Sequence, residues 1–227
     1  MTIAAITGSN RGIGRATAEE LGRRGVRIVT VGRSGSEAAS SLRRSLEAKD
    51  AYYGHIEVDL AIPSQVAEAA DELRRIRGLE ILVQAAGIIE RGCVAELDPE
   101  SVRRQFEVNL LAPFSLAQAA LPHFLEMKKG RLIFVSSISS ESPTPLQSAY
   151  NASKAGLTMM MRCLAEELRD TGVMAAAVLP GAVDTDMLKG SGYKPRMTAE
   201  EVARAIAYLA LDAGLGHNGS TIEMFGV

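Results

Sequence analysis

The chain has 227 residues and nearly balanced charge, with 25 Lys and Arg against 27 Asp and Glu. A hydrophobic share of 47% and a charged share of 23% are those of a globular protein that buries its own core, which excludes intrinsic disorder. Without a strong positive field, and with 4% aromatic residues and no Trp, a nucleic-acid-binding surface is not expected either.

Seven short apolar segments have the length of buried strands, at residues 3–7, 27–31, 54–58, 81–84, 131–136, 173–179 and 220–225. Helical patterns, with apolar residues three or four apart, lie between them, as at residues 15–24, 64–75, 101–127, 148–169 and 199–211. Alternating strands and helices need crossover connections, which make neighbouring strands parallel. We therefore predict one α/β domain over residues 1–227, a doubly wound (Rossmann) parallel sheet of about seven strands with helices on both faces.

The helical pattern at 101–127 carries signals for its start and for a break. Asp98, Pro99 and Glu100 supply a cap, a first-turn proline and a negative charge at the positive helix end. Pro113 and Pro122 each remove an amide donor inside the pattern. We expect this segment to be kinked or divided at the prolines.

Cysteine and histidine usage bears on metal sites and on location. Cys93 and Cys163 are the only cysteines, too few for a four-thiolate zinc site, and the three histidines lack metal-site spacing. We expect no metal, a reducing cytoplasm, and burial of Cys163 on its helical pattern. The first apolar run is broken by Gly8, without a basic leader or a cleavage site, so neither export nor a membrane span is expected.

A glycine-rich turn follows the first strand and opens the first helix, from Gly8 to Gly14. Glycines let the chain turn tightly and approach a ligand, while free amides and the positive helix end face an anion such as a pyrophosphate. The position of the turn favours a dinucleotide site. The alternative is a plain glycine-rich strand-to-helix turn.

The end of the second strand bears on which dinucleotide binds. An NAD site places Asp or Glu there to bind the ribose 2′-hydroxyl, whereas this chain has Gly32, Arg33 and Ser34. A guanidinium can hold a 2′-phosphate with two charge-assisted hydrogen bonds, and Arg11 in the turn offers a second cation. We therefore favour NADP(H) over NAD(H), the alternative being that both arginines are solvated surface residues.

Tyr150 and Lys154 are four residues apart on a helical pattern, so their side chains share one face. A phenol ordinarily titrates near pH 10, and a nearby ammonium stabilises its ionised form, so we expect Lys154 to activate Tyr150. Ser136 and Ser137 end the preceding strand, where a hydroxyl can hold a carbonyl oxygen. Taken alone, such a tyrosine and lysine pair is more often a surface helix contact.

Four motifs in order, taken together, resemble the short-chain dehydrogenase/reductase family, and within it the 3-oxoacyl-ACP reductases. They are Thr7-Gly-x-x-x-Gly-x-Gly14, a strand ending in Ser136-Ser137, Tyr150-Asn-Ala-Ser-Lys154 and Pro180-Gly-Ala-Val-Asp-Thr185. The resemblance covers essentially the whole chain. It implies an NADP(H)-dependent oxidoreductase that interconverts a small-molecule carbonyl and a secondary alcohol.

The resemblance also implies a catalytic tetrad of Asn109, Ser137, Tyr150 and Lys154. Tyr150 would exchange the proton, Ser137 would hold the carbonyl oxygen, and Lys154 would bind the nicotinamide ribose. Asn109 would position a water that links Lys154 to solvent. On its residue type alone, Asn109 is an ordinary polar helix residue.

Cofactor contacts are assigned by the same resemblance, with Asp59 meeting the adenine and residues 180–185 the nicotinamide carboxamide. Asp59 is alternatively an ordinary turn former. The assigned cofactor-binding residues are Gly8, Ser9, Asn10, Arg11, Gly12, Ile13, Gly14, Arg33, Ser34, Asp59, Leu60, Ala86, Gly87, Asn109, Tyr150, Lys154, Pro180, Gly181, Val183 and Thr185.

One departure from the family pattern follows the fourth strand, where Gln84-Ala85-Ala86-Gly87 replaces Asn-Asn-Ala-Gly. Hydrogen bonds normally made by those side chains must be replaced or omitted. This leaves open a dinucleotide-binding regulatory or scaffold protein with weak catalysis. A sugar-nucleotide epimerase or dehydratase is disfavoured because the chain lacks length for an extra substrate domain.

The expected substrate pocket is mostly apolar, with walls from Ile88, Ile89, Ser139, Gln147, Met187 and Tyr193. The family resemblance further implies a homodimer or homotetramer. Helices that carry Asn109 and Tyr150 are the candidate interface elements, because their apolar patterning exceeds what one face of a sheet needs.

Overall fold

A computed structural model describes residues 1–189 and 191–226 of the chain. Its seven strands form one sheet in the order β3-β2-β1-β4-β5-β6-β7, and every neighbouring pair is parallel. The strands are β1 (Ile3–Thr7), β2 (Arg27–Gly32), β3 (Tyr52–Glu57), β4 (Leu79–Gln84), β5 (Gly130–Val135), β6 (Val173–Pro180) and β7 (Thr221–Met224). The predicted doubly wound sheet is confirmed, with strand ends within two residues of the predicted ones.

Helices cover both faces of the sheet. They are α1 (Gly12–Arg23), α2 (Glu37–Glu47), α3 (Pro63–Arg74), α4 (Pro99–Phe106), α5 (Ala112–Met127), α6 (Ser148–Glu167) and α7 (Ala199–Ala207). One apolar cluster joins α3, α5 and α6 to the sheet, and a second joins α1, α2 and α7 to the opposite face. Because β1, β2, β4, β5 and β6 contribute to both clusters, apolar side chains project from both faces of these strands.

Helix α2 was not among the predicted helices. Its segment is rich in Ala, Ser and Arg, and only two large apolar side chains, Leu42 and Leu46, are buried. Ser36 starts the helix by accepting a hydrogen bond from the Ala39 amide at 3.1 Å. Two apolar residues one turn apart suffice to dock a short helix but leave a weak periodic pattern in the sequence.

The predicted break in the long helical segment is present. A wide turn of π-helix at Glu107–Leu111 separates α4 from α5, and Pro113 lies in the first turn of α5. Asp98 caps α4 by accepting from the Glu100 amide at 3.3 Å, as predicted. Pro122 lies inside α5, so the division comes at the first proline.

Among the described residues, the continuous segment Pro99–Met127 is long and apolar enough to cross a membrane by length and composition. Half of it is buried inside the protein, where Ala112, Leu116 and Phe124 pack in the core. A helix in the core of a layered α/β protein has the same composition as a membrane-spanning helix.

The two cysteines, Cys93 and Cys163, are both free and exposed, so the expected burial of Cys163 was wrong.

The connection from β1 to α1 is packed too closely for any side chain at Gly14. A Cβ there would lie 2.3 Å from the Gly8 carbonyl oxygen. Gly8 itself has φ +66, and its Cβ would lie 2.8 Å from the Ala86 Cα. The first and fourth strands therefore approach each other at this turn because both positions lack side chains.

We predict that Gly14→Ala destabilises the protein by about 1 to 3 kcal/mol, because the added methyl group forces the turn open. Urea unfolding measures the change. Gly214→Ala is the matched control, since a Cβ at Gly214 meets nothing within 4 Å. Equal free energies of unfolding for the two variants would contradict this packing.

Candidate active site

A cavity of about 250 Å³ opens at the carboxyl edge of the sheet. Its walls come from the segments that follow β4, β5 and β6 and from the start of α6. Three residues of the expected tetrad line it: Ser137, Tyr150 and Lys154. Ile13 from the glycine-rich turn lines the same cavity, so the turn and the tetrad residues meet in one cleft.

The glycine-rich turn leaves polar groups without protein partners. Arg11 precedes the first residue of α1, makes no side-chain cap, and no acidic residue lies in the first helical turn. The hydroxyl of Ser9 is buried and has no hydrogen-bond partner among the described residues. First-turn amides of a helix lack internal acceptors, so this end of α1 suits an anion.

Gly12 and Gly87 keep the floor of the cleft open. Gly12 has φ +53, and a Cβ there would lie 3.2 Å from Thr185 Cγ2. A Cβ on Gly87 would lie 3.3 Å from Lys154 Nζ and 3.4 Å from Asn109 Oδ1. The residues present therefore fit a dinucleotide whose pyrophosphate lies on the turn.

At the far end of the cleft, Arg33 is three-quarters exposed and lies 3.8 Å from the Asp59 carboxylate. Asn10 donates to the Arg33 carbonyl at 2.6 Å, which ties the turn to the end of β2. The side chain of Asp59 accepts from the Ala61 amide at 3.0 Å, so it also forms a local turn. This geometry is compatible both with a contact between Asp59 and the adenine ring and with a purely local turn.

Glu57, which the sequence did not single out, shares the far end of the cleft. Both of its carboxylate oxygens accept from the Ser34 amide at 3.0 Å. Hydrogen bonding to Ser34, first through its hydroxyl and then through its amide, holds the pKa of Glu57 below its ordinary value. His55 lies 3.1 Å from the same carboxylate. Glu57 is the last residue of β3. A ribose-binding carboxylate is expected from the sequence only at the end of β2, and the same expectation at the end of β3 would have found Glu57.

The other predicted cofactor residues lie in the segments at the ends of β3, β4 and β6. The Ala86 amide donates to the Thr7 hydroxyl at 3.1 Å, and the side chain of Leu60 is buried in the core. Pro180, Gly181, Val183 and Thr185 line the cavity. Leu60 therefore presents no side chain to the cleft, unlike the segment after β6.

Tyr150 and Lys154 lie one turn apart at the start of α6, and both are buried. The Lys154 ammonium donates to the Val135 carbonyl at 2.9 Å and lies 5.9 Å from the centre of the Tyr150 ring. Ser137 follows β5, and its hydroxyl oxygen accepts from the Ser139 amide at 3.1 Å. The helix and the strand end thus bring all three side chains to one wall.

Burial dominates the titration of both residues on α6. It raises the pKa of the Tyr150 phenol, which the Ser137 hydroxyl and the positive charge of Arg91 lower in part. It also lowers the pKa of Lys154 to about 8. Activation of the Tyr150 phenol by the Lys154 ammonium stays a prediction.

Asn109 does not line the cavity but connects two of its walls. Its side chain donates to the Ile88 carbonyl and accepts from the Ile88 amide, both at 2.9 Å, and donates to the Ser153 hydroxyl at 3.0 Å. Pro113, four residues later, has no amide to give to the Asn109 carbonyl, and the helix widens at this point. Asn109 thus holds the segment after β4 against α6.

Gln84, which stands where the family pattern has Asn, makes a hydrogen bond of its own. Its amide nitrogen donates to the Pro113 carbonyl at 3.0 Å, which fixes β4 to the start of α5. Its buried side-chain oxygen finds no partner within residues 1–189 and 191–226. Ala85 lines the cavity where the family pattern has a longer polar side chain.

Comparison with known proteins agrees with this geometry. A family model described as short chain dehydrogenase matches residues 2–195. The chain belongs to the short-chain dehydrogenase family. It is therefore an NAD(P)-dependent oxidoreductase of that family.

Individual relatives of this short-chain dehydrogenase span the whole chain. A trihydroxynaphthalene reductase of Pestalotiopsis fici is 32% identical, over 98% of this chain and 79% of that protein. A gluconate 5-dehydrogenase structure from Burkholderia cenocepacia, in complex with NADP and tartrate, has a TM-score of 0.89 at 28% identity, covering 99% of this chain and 94% of that one.

A third relative bears on the narrower resemblance. The structure of a 3-oxoacyl (acyl-carrier-protein) reductase from Agrobacterium tumefaciens, with NADP bound, has a TM-score of 0.90 at 26% identity. The match covers 99% of this chain and 93% of that one. The predicted similarity to 3-oxoacyl-ACP reductases is confirmed.

Most predicted walls of the substrate pocket line the cavity of this dehydrogenase. Ile89, Ser139, Gln147, Met187 and Tyr193 do so, whereas Ile88 is held by Asn109 and does not. Arg91, Thr144 and Leu188 are lining residues that the sequence did not single out. Arg91 brings a positive charge to the cavity wall, and its place in the loop that follows β4 was the available signal.

We predict that burial of Lys154 makes the stability of this dehydrogenase depend on pH. A lysine with a folded pKa of about 8, below the ordinary 10.5, is penalised while it is protonated. The penalty is complete below about pH 8 and disappears as the pH rises toward the pKa of the unfolded chain. Relative to Lys154→Met, the wild-type free energy of unfolding should rise by about 1 to 3 kcal/mol between pH 7 and pH 10.

Urea unfolding at intervals across this pH range measures the difference. Lys154→Met cannot titrate at this position, so all other titrating groups cancel in the comparison. Lys49→Met, at an exposed lysine, is the matched control and should follow the wild type at every pH. Parallel curves for wild type and Lys154→Met would show that the ammonium is not penalised.

Proposed function

We propose that the protein interconverts a carbonyl and a secondary alcohol with NADP(H), using Tyr150 as general acid and base. The observation that carries this proposal is the cavity that Tyr150, Ser137 and Lys154 share with the glycine-rich turn and the segment 180–185. Bound nicotinamide would supply the hydride in the reductive direction and accept it in the oxidative one.

The raised pKa of Tyr150 suits proton donation. Burial keeps the phenol protonated at neutral pH, so it can give its proton to the developing alkoxide of a reduced substrate. The Ser137 oxygen already accepts from the Ser139 amide, so its hydroxyl hydrogen is free to turn either to the Tyr150 oxygen or to the substrate oxygen. The protonated phenol is the form of Tyr150 that the reductive direction requires.

Lys154 has donors to spare. One N–H of its ammonium is used by the Val135 carbonyl, and two more can bind the ribose hydroxyls of a nicotinamide nucleotide. We infer that Asn109 acts as a positioning residue through its bonds to Ile88 and Ser153. Ser153 precedes Lys154 on α6, so these bonds fix the wall from which Lys154 projects.

The preference for NADP(H) rests on Arg33 and Arg11. Arg33 is exposed at the far end of the cleft, where a 2′-phosphate would lie beside the Ser34 amide. Two structural relatives contain NADP, which supports this assignment. Glu57 opposes it, because its carboxylate already accepts from Ser34 and repels a phosphate.

We also infer a single domain over residues 1–227, a homodimer or homotetramer, and a cytoplasmic location. The apolar side chains of Leu111 in the π-helical turn, Phe114 and Leu125 on α5, and Met159 on α6 are exposed, which supports burial against other copies. The free thiols of Cys93 and Cys163 suit a reducing compartment.

Tyr150→Phe tests the proposed chemistry. We expect NADPH-dependent reduction of aldehydes and ketones, followed at the absorbance of reduced nicotinamide, to fall by about 100- to 10,000-fold, because the proton donor is lost. NADPH binding, measured by fluorescence titration, should be retained.

Tyr53→Phe is the matched control, since Tyr53 is an exposed residue of β3 away from the cavity. It should reduce carbonyls at the wild-type rate. Full activity in Tyr150→Phe would remove Tyr150 from the chemistry. Binding of NADPH by a wild type that turns over no aldehyde, ketone or alcohol would favour the regulatory or scaffold alternative.

Arg33→Ala tests the cofactor preference. Loss of the guanidinium should weaken NADPH binding by about 10- to 100-fold and leave NADH binding nearly unchanged, because NADH has no 2′-phosphate. Glu57→Gln should act in the opposite direction and strengthen NADPH binding, since a repelling charge is removed. Fluorescence titration with each nucleotide measures both effects.

Arg77→Ala is the control for Arg33→Ala, because Arg77 is exposed in the connection between α3 and β4. It should bind both nucleotides like the wild type. Equal losses of NADPH and NADH affinity in Arg33→Ala would mean that Arg33 does not recognise the 2′-phosphate.

A further inference from the structure

The walls of the cavity carry positive but no negative side-chain charge. Among the described lining residues, the charged ones are Arg91 and Lys154, and none is Asp or Glu. Lys154 is buried and already donates to the Val135 carbonyl. Arg91 is therefore the charged group that is available to a substrate.

Two carboxylates next to the cavity walls, those of Glu90 and Glu141, pair with arginines that do not line it. Glu90, the residue before Arg91, pairs with Arg104, and its main chain is held by the side chain of Gln105. Glu141, after β5, pairs with Arg162 on α6 at 2.7 Å. Within the described ranges, Arg91 makes neither an ion pair nor a hydrogen bond, so its charge is not neutralised.

The loop that carries Arg91 is fixed to the opposite rim of the cavity. The Gly92 amide donates to the Leu146 carbonyl at 2.9 Å. Leu146 has φ +62, a left-handed conformation that is unfavourable for a branched side chain, and it immediately precedes Gln147. A strained residue at this contact indicates that the segment is held in place to position its neighbours.

Gln147 adds an uncharged amide to the cavity wall, next in sequence to the residue that holds the Arg91 loop. Its side chain is more than nine-tenths buried, lines the cavity, and makes no hydrogen bond to the residues the structure describes. The Tyr150 phenol lies within electrostatic reach of Arg91, whose charge lowers the phenol pKa. One cation and one neutral amide thus line the same cavity as the Tyr150 phenol.

We propose that Arg91 binds a carboxylate of the substrate, so that the enzyme acts on keto acids or hydroxy acids. A planar guanidinium matches a carboxylate with two parallel N–H···O bonds. One unneutralised guanidinium balances one carboxylate charge, and a cavity of about 250 Å³ suits a small acid. This inference rests on the proposed carbonyl and alcohol chemistry and assigns its substrate class.

Matched pairs of acid and ester test the proposal. The probes are 2-oxobutanoate, 3-oxobutanoate and 4-oxopentanoate, each against its methyl ester, since the series varies the distance from carbonyl to charge. Wild-type kcat/KM with NADPH should favour at least one acid over its ester by about tenfold or more. Arg91→Gln should lower kcat/KM for that acid by about 10- to 100-fold and leave the ester within about twofold.

Two further variants separate recognition from nonspecific charge. Arg91→Lys keeps the charge without the planar fork, so its kcat/KM for the acid should lie between those of wild type and Arg91→Gln. Arg77→Gln makes the same charge change at an exposed site away from the cavity and should leave both substrates unaffected. Ester reduction by Arg91→Gln shows that the variant is folded.

The results that would contradict the carboxylate site differ from those that would contradict the proposed function. Reduction of esters without preference for any acid, or equal effects of Arg91→Gln on acid and ester, would overturn the carboxylate site alone. Reduction of none of the six compounds would count against the proposed chemistry. In that case calorimetric titration of 4-oxopentanoate into Tyr150→Phe with NADPH decides the site. Binding that weakens about tenfold on adding Arg91→Gln supports it, and unchanged or absent binding overturns it.

Discussion

The parallel direction of the strands is the constraint on which the active site depends. Because neighbouring strands all run the same way, their carboxyl ends meet at one edge of the sheet. Strand order reverses at β1, which pairs with β2 on one side and β4 on the other. The glycine-rich turn, Arg33, Gly87, Ser137 and the segment 180–185 belong to the ends of five different strands and therefore lie at the same edge of the sheet.

Placing Lys154 at this edge of the sheet has an energetic cost, because its ammonium is buried. An ammonium ion buried at the sheet edge loses hydration and has the Val135 carbonyl as its described hydrogen-bond partner, which is why its pKa falls to about 8. Asn109 braces the same wall by joining Ile88 to Ser153. The protein thus accepts an unfavourable charge and holds it in place, which is typical of a group kept for chemistry rather than for stability.

Sequence patterns predicted the sheet because apolar runs of strand length are local features. They also predicted that Ser137, Tyr150 and Lys154 share a cleft, since strand ends and helical spacing fix where those side chains project. Electrostatic coupling was not predictable in the same way. The effects of Ser34 on the pKa of Glu57, and of Arg91 on the pKa of Tyr150, depend on distances between segments that are remote in sequence.

Net charge describes this protein poorly at the scale of its cleft. A formal charge of −2 gives no reason to expect anionic ligands, yet the described cavity walls carry two cations and no carboxylate. Two acidic side chains beside the cavity pair with arginines that do not line it, Glu90 with Arg104 and Glu141 with Arg162. Arg91 and Lys154 have no carboxylate partner among the described residues, so they concentrate positive potential at the cavity. Because charges in a confined cleft interact more strongly than charges in water, the local arrangement decides which ligands enter.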